Sequence, residues 1–282
     1  MRELARRVAF ALALACANAC AGAGVTDARA TISVGGLERT YVVAMPDSCR
    51  SACPLVLDLH GYQGSGSRIA RHSGIRAQAQ ATGYVAVFPD GIANSWNAGR
   101  GPYGGCCGVA MKDKVDDVAF LKDVVARVAA AYPVDRSRVY VTGWSNGCAM
   151  AQRLLAEASE VFAAGACTGH FLLTMQKSLA RPVSVTGIHG RDDDSYREAD
   201  DHTGARENAA RWAALDRCAA APVHARVGRD SDIATWSGCA GGVRVRLVTL
   251  AHTGHDTYGN DEGVDVAGLM WDSVRDERLP TP

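Results

Sequence analysis

The stretch VYVTGWSNGCAM, residues 139–150, decides how this chain reads. Its first half is β-branched and aromatic, the composition of a strand. Gly143-Trp144-Ser145-Asn146-Gly147 then spells G-x-S-x-G, and small, helix-compatible residues follow. A serine on a tight strand-to-helix turn is held exposed as a nucleophile. The flanking glycines are required because a side chain at either place would collide with neighbouring chain. The same residues also suit a plainer purpose, a serine N-cap in a glycine-rich turn. To separate the two, the rest of the chain must supply a base, a carboxylate and oxyanion donors.

Outward from this stretch, strand-like and helix-like segments alternate. TISVGGLERTYVVAMP, residues 31–46, reads as a hairpin joined at Gly35-Gly36. Apolar runs at 54–60 and 83–91 each lead into a glycine-bearing loop. Residues 115–132 predict a helix with Val118, Leu121, Val125, Val128 and Tyr132 on one face. Asp116 and Asp117 stand in its first turn, where the helix dipole favours them. Further strands are expected at 162–168, 182–189 and 243–250, and helices at 149–157, 206–216 and 263–277. Such alternation predicts an α/β fold with a mostly parallel central sheet covered by helices on both faces. No internal repeat or Pro/Ser-rich linker divides the chain, so 24–282 is expected to be a single catalytic domain.

Formal charge balances at 30 basic and 30 acidic residues, so no basic excess points to nucleic acid. Arg2, Arg6 and Arg7 precede the apolar run VAFALALAC, and small residues follow. That order predicts a secretory signal peptide over 1–23, cut after Ala23, and an extracellular or periplasmic protein with no membrane attachment afterwards. Eight of the ten cysteines would remain, and an oxidising compartment makes disulfides their expected state. Cys218 and Cys239 bracket one segment and are expected to pair. Cys49 and Cys53 can pair locally, whereas adjacent Cys106 and Cys107 are expected to reach separate partners. No CxxC pair or nearby His pair supports zinc, so no metal and no cofactor is expected.

In open α/β sheets, chemistry collects beyond the carboxyl ends of strands. Two later strands end in loops with the right side chains. RPVSVTGIHG is followed by Arg191-Asp192-Asp193-Asp194, and VRVRLVTL by AHTGHDTYG. Serine, carboxylate and histidine thus come in the order that a serine hydrolase of this plan uses. Of the two histidines, His255 lies further into its loop and is favoured over His252. The three aspartates cannot be separated by their own pattern. The oxyanion site needs two backbone N–H groups. One is expected from Asn146, and the second from the loop His60-Gly61-Tyr62.

LHG at 59–61, FPDGIANSWNAG at 88–99, Cys106-Cys107-Gly108, VDDVAFL at 115–121, GWSNG, the HG-x-x-D at 189–193 and Gly254-His255 occur in order. Together they resemble the secreted esterases that include feruloyl esterases, acetyl xylan esterases and polyhydroxybutyrate depolymerases. The resemblance implies an α/β-hydrolase fold and carboxylic-ester hydrolysis without cofactor. It implies Ser145 as nucleophile, His255 as base, Asp193 as the base's partner, and the Tyr62 and Asn146 amides as oxyanion donors. Trp96 is left with two roles, pocket wall or core tryptophan. Cys148 and Cys167 replace small residues of the family pattern, which suggests that they pair.

The expected substrate is a small ester, an acylated polysaccharide or a polyester. Feruloyl or acetyl esters are preferred to polyhydroxybutyrate, because no polymer-binding module or linker is seen. An inactive binding protein on the same scaffold is the reading from another class.

Overall fold

The computed structural model describes residues 24–101, 104–172, 176–194 and 204–280. The expected signal segment, with Cys16 and Cys20, lies outside them.

The opening hairpin forms as its glycines require. β1 (Val25–Val34) and β2 (Leu37–Pro46) pair antiparallel with Val34 opposite Leu37. Gly35 and Gly36 both take positive φ, +59° and +79°, as a two-residue turn that follows strand twist demands. Next come β3 (Cys53–Leu59), α1 (Gly66–His72), α2 (Ile75–Thr82) and β4 (Val85–Pro89). A two-residue hairpin of β5 (Arg100–Gly101) and β6 (Gly104–Gly105) precedes the short α3 (Gly108–Lys112). α4 (Asp117–Ala131), β7 (Val134–Trp144), α5 (Asn146–Glu157), β8 (Ala164–Thr168) and β9 (Ser184–Gly190) follow. The chain closes with α6 (Ala205–Leu215), β10 (Val223–Val227), β11 (Ser231–Trp236), β12 (Val245–Leu250) and α7 (Val266–Val274).

One sheet runs in the order β1-β2-β4-β3-β7-β8-β9-β12-β11-β10. From β4 to β12 all neighbours are parallel, and an antiparallel hairpin extends each edge. β3, β4, β8 and β9 are buried throughout because both faces of the sheet are covered. Successive residues of β3 show this. Leu55, Leu57 and Leu59 join Leu121, Leu154 and Trp212 on one face, while Val56 joins Ile75, Met270 and Trp271 on the other.

Helix α4 is rotated from the expected face. Phe120 and Val124 are buried and Val118 only half-buried. The reason is Asp117, which is not a solvated first-turn acid. It is wholly buried, bonded at 2.7 Å to Arg39 of β2, and accepts the Asn97 N–H. Asp116 is the N-cap, accepting from the Ala119 N–H.

The cysteines pair as Cys49–Cys53, Cys106–Cys107, Cys148–Cys167 and Cys218–Cys239. The expectation of separate partners for Cys106 and Cys107 is therefore corrected. The other six cysteines of the described chain are satisfied among themselves, and these two reach only each other.

Candidate active site

Ser145 stands between β7 and α5 with φ +55° and ψ −122°, a backbone conformation that a residue with a side chain adopts only under constraint. The constraint is visible in the flanking glycines. A Cβ on Gly147 would collide with the Leu59 carbonyl of β3, and one on Gly143 would lie 2.6 Å from the Gly147 oxygen. The helix therefore starts hard against the end of β3, and the chain must turn sharply to enter it. The Ser145 N–H donates to Thr168 O at 2.8 Å, fixing the turn to β8. Ser145 holds the N-cap position but its side chain makes no capping bond. The hydroxyl is thus not consumed by the helix.

The acid and base loops are laced together at the ends of β9 and β12. Arg191 N–H donates to Leu250 O and Asp192 N–H to Thr253 O. A Cβ on Gly190 would collide with the carbonyls of Thr253 and Gly254, so this close approach needs glycine. Of the three aspartates only Asp193 is buried. Its Oδ2 accepts from His255 Nδ1 at 2.8 Å. The His255 side chain is 44% exposed and that of Asp193 5%, so the imidazole faces the site while the carboxylate stays behind it. The hydrogen bond to Asp193, chiefly, raises the His255 pKa above the ordinary 6.5, against a smaller effect of burial. His252 is exposed and has a left-handed backbone, φ +50°.

The elbow and the base loop meet. Trp144 Nε1 donates to the His255 carbonyl at 3.0 Å, and the two rings lie 5.6 Å apart. Gly169, next to the residue that binds the Ser145 amide, packs against the imidazole. A Cβ there would lie 3.3 Å from His255 Cε1. The Thr257 hydroxyl donates to Thr168 Oγ1, which donates to Ile188 O, linking the base loop to β8. Trp144 was not anticipated as a support. It occupies the variable position of G-x-S-x-G, where no pattern marks it.

The loop after β3 is braced through His60. Its Nδ1 donates to Gly61 O at 2.7 Å, and its Nε2 accepts the Gly91 N–H at 2.9 Å. Burial, chiefly, lowers the His60 pKa, in keeping with a neutral ring that both gives and takes. Gly61 lies against Ser145, where a Cβ would be 3.3 Å from that of the serine. Tyr62, its neighbour, is 48% exposed. The Asn146 amide begins α5 and is among the N–H groups that a helix leaves without an internal partner.

Trp96 is not a pocket wall. It has no exposed surface, donates from Nε1 to His60 O at 2.9 Å, and stacks on Phe120. Its backbone grips Asn146, whose Oδ1 accepts the Trp96 N–H while Nδ2 donates to the Trp96 carbonyl. The NSW motif thus holds the side chain of the residue that follows Ser145.

His170 follows Gly169, and its buried Nε2 has no hydrogen-bond partner. Burial lowers its pKa to about 4, so the ring is neutral. Among the described residues Asp230, His252 and Glu262 bring possible cation ligands within 4.8 Å of one another. Two are exposed, Asp230 already pairs with Arg226, and Glu262 Oε2 accepts from the Asp230 N–H and the Ser231 hydroxyl. Those bonds already engage both carboxylates.

The profile of the prolyl oligopeptidase family matches residues 106–213, which include the elbow and Asp193. A protein of Nocardia uniformis subsp. tsuyamanensis whose name, NocK, carries a provisional esterase assignment is 34% identical over 62% of this chain and 52% of its own length. Feruloyl esterase B of Piromyces equi is 26% identical over 86% of this chain and 46% of its own length. The chain thus spans about half the length of these curated relatives. Among solved structures, the acetyl xylan esterase from Aspergillus awamori superposes with TM-score 0.61 at 14% identity, covering 81% of this chain and 94% of that one. A mutant of the feruloyl esterase module from Clostridium thermocellum complexed with sinapinate gives TM-score 0.60 at 12% identity, covering 90% and 88%. At such identities the superpositions speak for the fold. Sheet order and superpositions agree, and the chain has the α/β-hydrolase fold.

Proposed function

We propose that the protein is a secreted serine carboxylic-ester hydrolase working through an acyl-enzyme. The observations that carry this are the 2.8 Å bond from His255 to the buried Asp193, a strained serine whose hydroxyl caps nothing, and the Trp144–His255 bond that joins the serine's turn to the histidine's loop. Asp193 accepts from Nδ1, so Nε2 is left to act as base. His255 takes the Ser145 proton as the hydroxyl attacks the ester carbonyl. The amides of Tyr62 and Asn146 hold the developing oxyanion. The alcohol leaves with the proton from His255, and water repeats the sequence to release the acid. No cofactor or metal enters these steps.

The substrate class we favour is a feruloyl or acetyl ester, on the names of the relatives. The test is a panel on the purified protein: methyl ferulate, acetylated xylan, short p-nitrophenyl esters and polyhydroxybutyrate. Turnover of the ferulate or acetyl esters, undiminished by EDTA, is expected. Clearing of the polyester alone would select a depolymerase. The match to the prolyl oligopeptidase family favours peptide amides as a second reading. A p-nitroanilide series beside the esters tests it, and cleavage faster than that of the esters would replace the first reading. For secretion, the expected result is a protein exported from its cell with residues 1–23 removed, and retention inside the cell would contradict it.

A further inference from the structure

The proposed mechanism leaves the Cys106-Cys107 motif unused. A disulfide stabilises a fold mainly by closing a loop of unfolded chain. A bond between adjacent residues closes essentially none. Its value must be local, so its surroundings matter. Cys106 Sγ is 3.7 Å from Nδ2 of Asn146, the same nitrogen that donates to the Trp96 carbonyl. The Asn146 side chain is therefore held between the disulfide and the backbone of residue 96. On the other side Cys107 leads into Gly108, which has φ +71°. A Cβ on Gly108 would lie 2.6 Å from the Tyr62 ring and 2.8 Å from Ser95 Cβ, so the tyrosine ring rests directly on this backbone. The Ser95 hydroxyl accepts the Ala110 N–H, tying α3 to the NSW loop. Both cysteines are half-buried. The pair thus touches one residue, and its neighbour the other, of the two whose amides face the oxyanion in the proposed mechanism.

We infer that the Cys106–Cys107 disulfide is a positioning element of the ester site, holding the Asn146 and Tyr62 amides in the register that the developing oxyanion needs. The inference rests on the esterase reading above. It is separate from the Cys148–Cys167 bridge, which ties α5 to β8.

The test compares wild type, the Cys106→Ala/Cys107→Ala double variant, and a Cys49→Ala/Cys53→Ala control. The control bridge lies at the start of β3, the end away from His60. Steady-state kinetics on p-nitrophenyl acetate, the rate of fluorophosphonate labelling and the thermal midpoint are measured for each. For the double variant we expect kcat to fall about tenfold or more at nearly constant KM, short of the 10²–10³ typical of losing one oxyanion donor outright, since the amides are displaced and not removed. Labelling should slow in parallel, with the midpoint little changed. The control should keep the wild-type kcat and labelling rate. Wild-type kinetics in the double variant would overturn the inference while leaving the esterase reading intact. Failure of the double variant to fold would also overturn it, since the bridge would then serve the fold. A wild type that hydrolyses no ester and takes no label would contradict the esterase reading, and the inference with it. Peptide mapping of unreduced protein is independent of activity. It should find both residues bonded within one fragment, and either sulfur free or joined elsewhere would again overturn the inference.

Discussion

In the proposed mechanism Ser145 and His255 carry opposite demands. The serine needs a hydroxyl that the helix does not engage, and Ser145 stands at the N-cap position without capping. The histidine needs a neutral Nε2, yet its bond to Asp193 favours the charged ring. A pKa raised above 6.5 means that the imidazole keeps its proton to higher pH, and the base form is lost as pH falls through that raised value. We therefore expect kcat/KM to decline on acidification, beginning above the pH at which an ordinary histidine titrates. A pH–rate profile from 5 to 9 checks this, and a flat profile between 5 and 8 would contradict it. At this scale much was legible. G-x-S-x-G, HG-x-x-D and G-H point to the three side chains of the proposed site, and two of them, His255 and Asp193, are hydrogen-bonded. The choice among the aspartates could not come from the run Asp192-Asp193-Asp194 itself, since burial distinguishes them and burial depends on the partner loop.

At the scale of elements, the site depends on close approaches that only glycine allows. Gly147 lets α5 start against the Leu59 carbonyl, and moving it would displace both the elbow and the Asn146 amide. Gly147→Ala is expected to lower kcat by about 10²-fold or more, comparable to loss of an oxyanion donor. Kinetics on a folded sample check it, and near-wild-type turnover would show that the contact is slack. The Cys148–Cys167 bridge fastens the same helix to β8, with Gln152 beside it binding His170 O, Asn208 and Trp212. Elements with a strong period were readable: β3, β4 and β7 lie where their apolar patterns put them, and α4 takes its expected place in the chain with a rotated face. Three kinds were not. α1 and α2 are short, and the glycine-rich approach to α1 reads as loop. β10 is exposed along nearly its whole length, so VHARV has no buried face to alternate. Trp96 resembles a pocket residue in sequence because an indole in a loop near the site looks the same whether it faces in or out.

At the largest scale the described chain is a parallel sheet with antiparallel hairpins at both edges, and the proposed site lies at the carboxyl ends of its strands. The β1–β2 hairpin is tied to the rest partly through Arg39, whose guanidinium also lies 3.8 Å over the Phe120 ring. Arg39→Ala would leave Asp117 charged and buried without its counter-ion. We expect a loss of about 3–5 kcal/mol, the usual cost of removing one member of a buried pair. Denaturant unfolding measures it, and a loss under about 1 kcal/mol, as for an exposed pair, would refute the role. This tie was invisible in sequence, since residues 39 and 117 are remote in the chain and Asp117 sits where a dipole-favoured surface acid is equally expected.

The central claim is that Ser145 is the nucleophile of an ester hydrolase. Fluorophosphonate labelling read by peptide mass spectrometry, on wild type and on folded Ser145→Ala, tests it most directly. The account predicts one adduct on Ser145 in the wild type, and neither adduct nor ester turnover in the variant. An adduct on another residue, or a folded Ser145→Ala that still hydrolyses the ester, would contradict it.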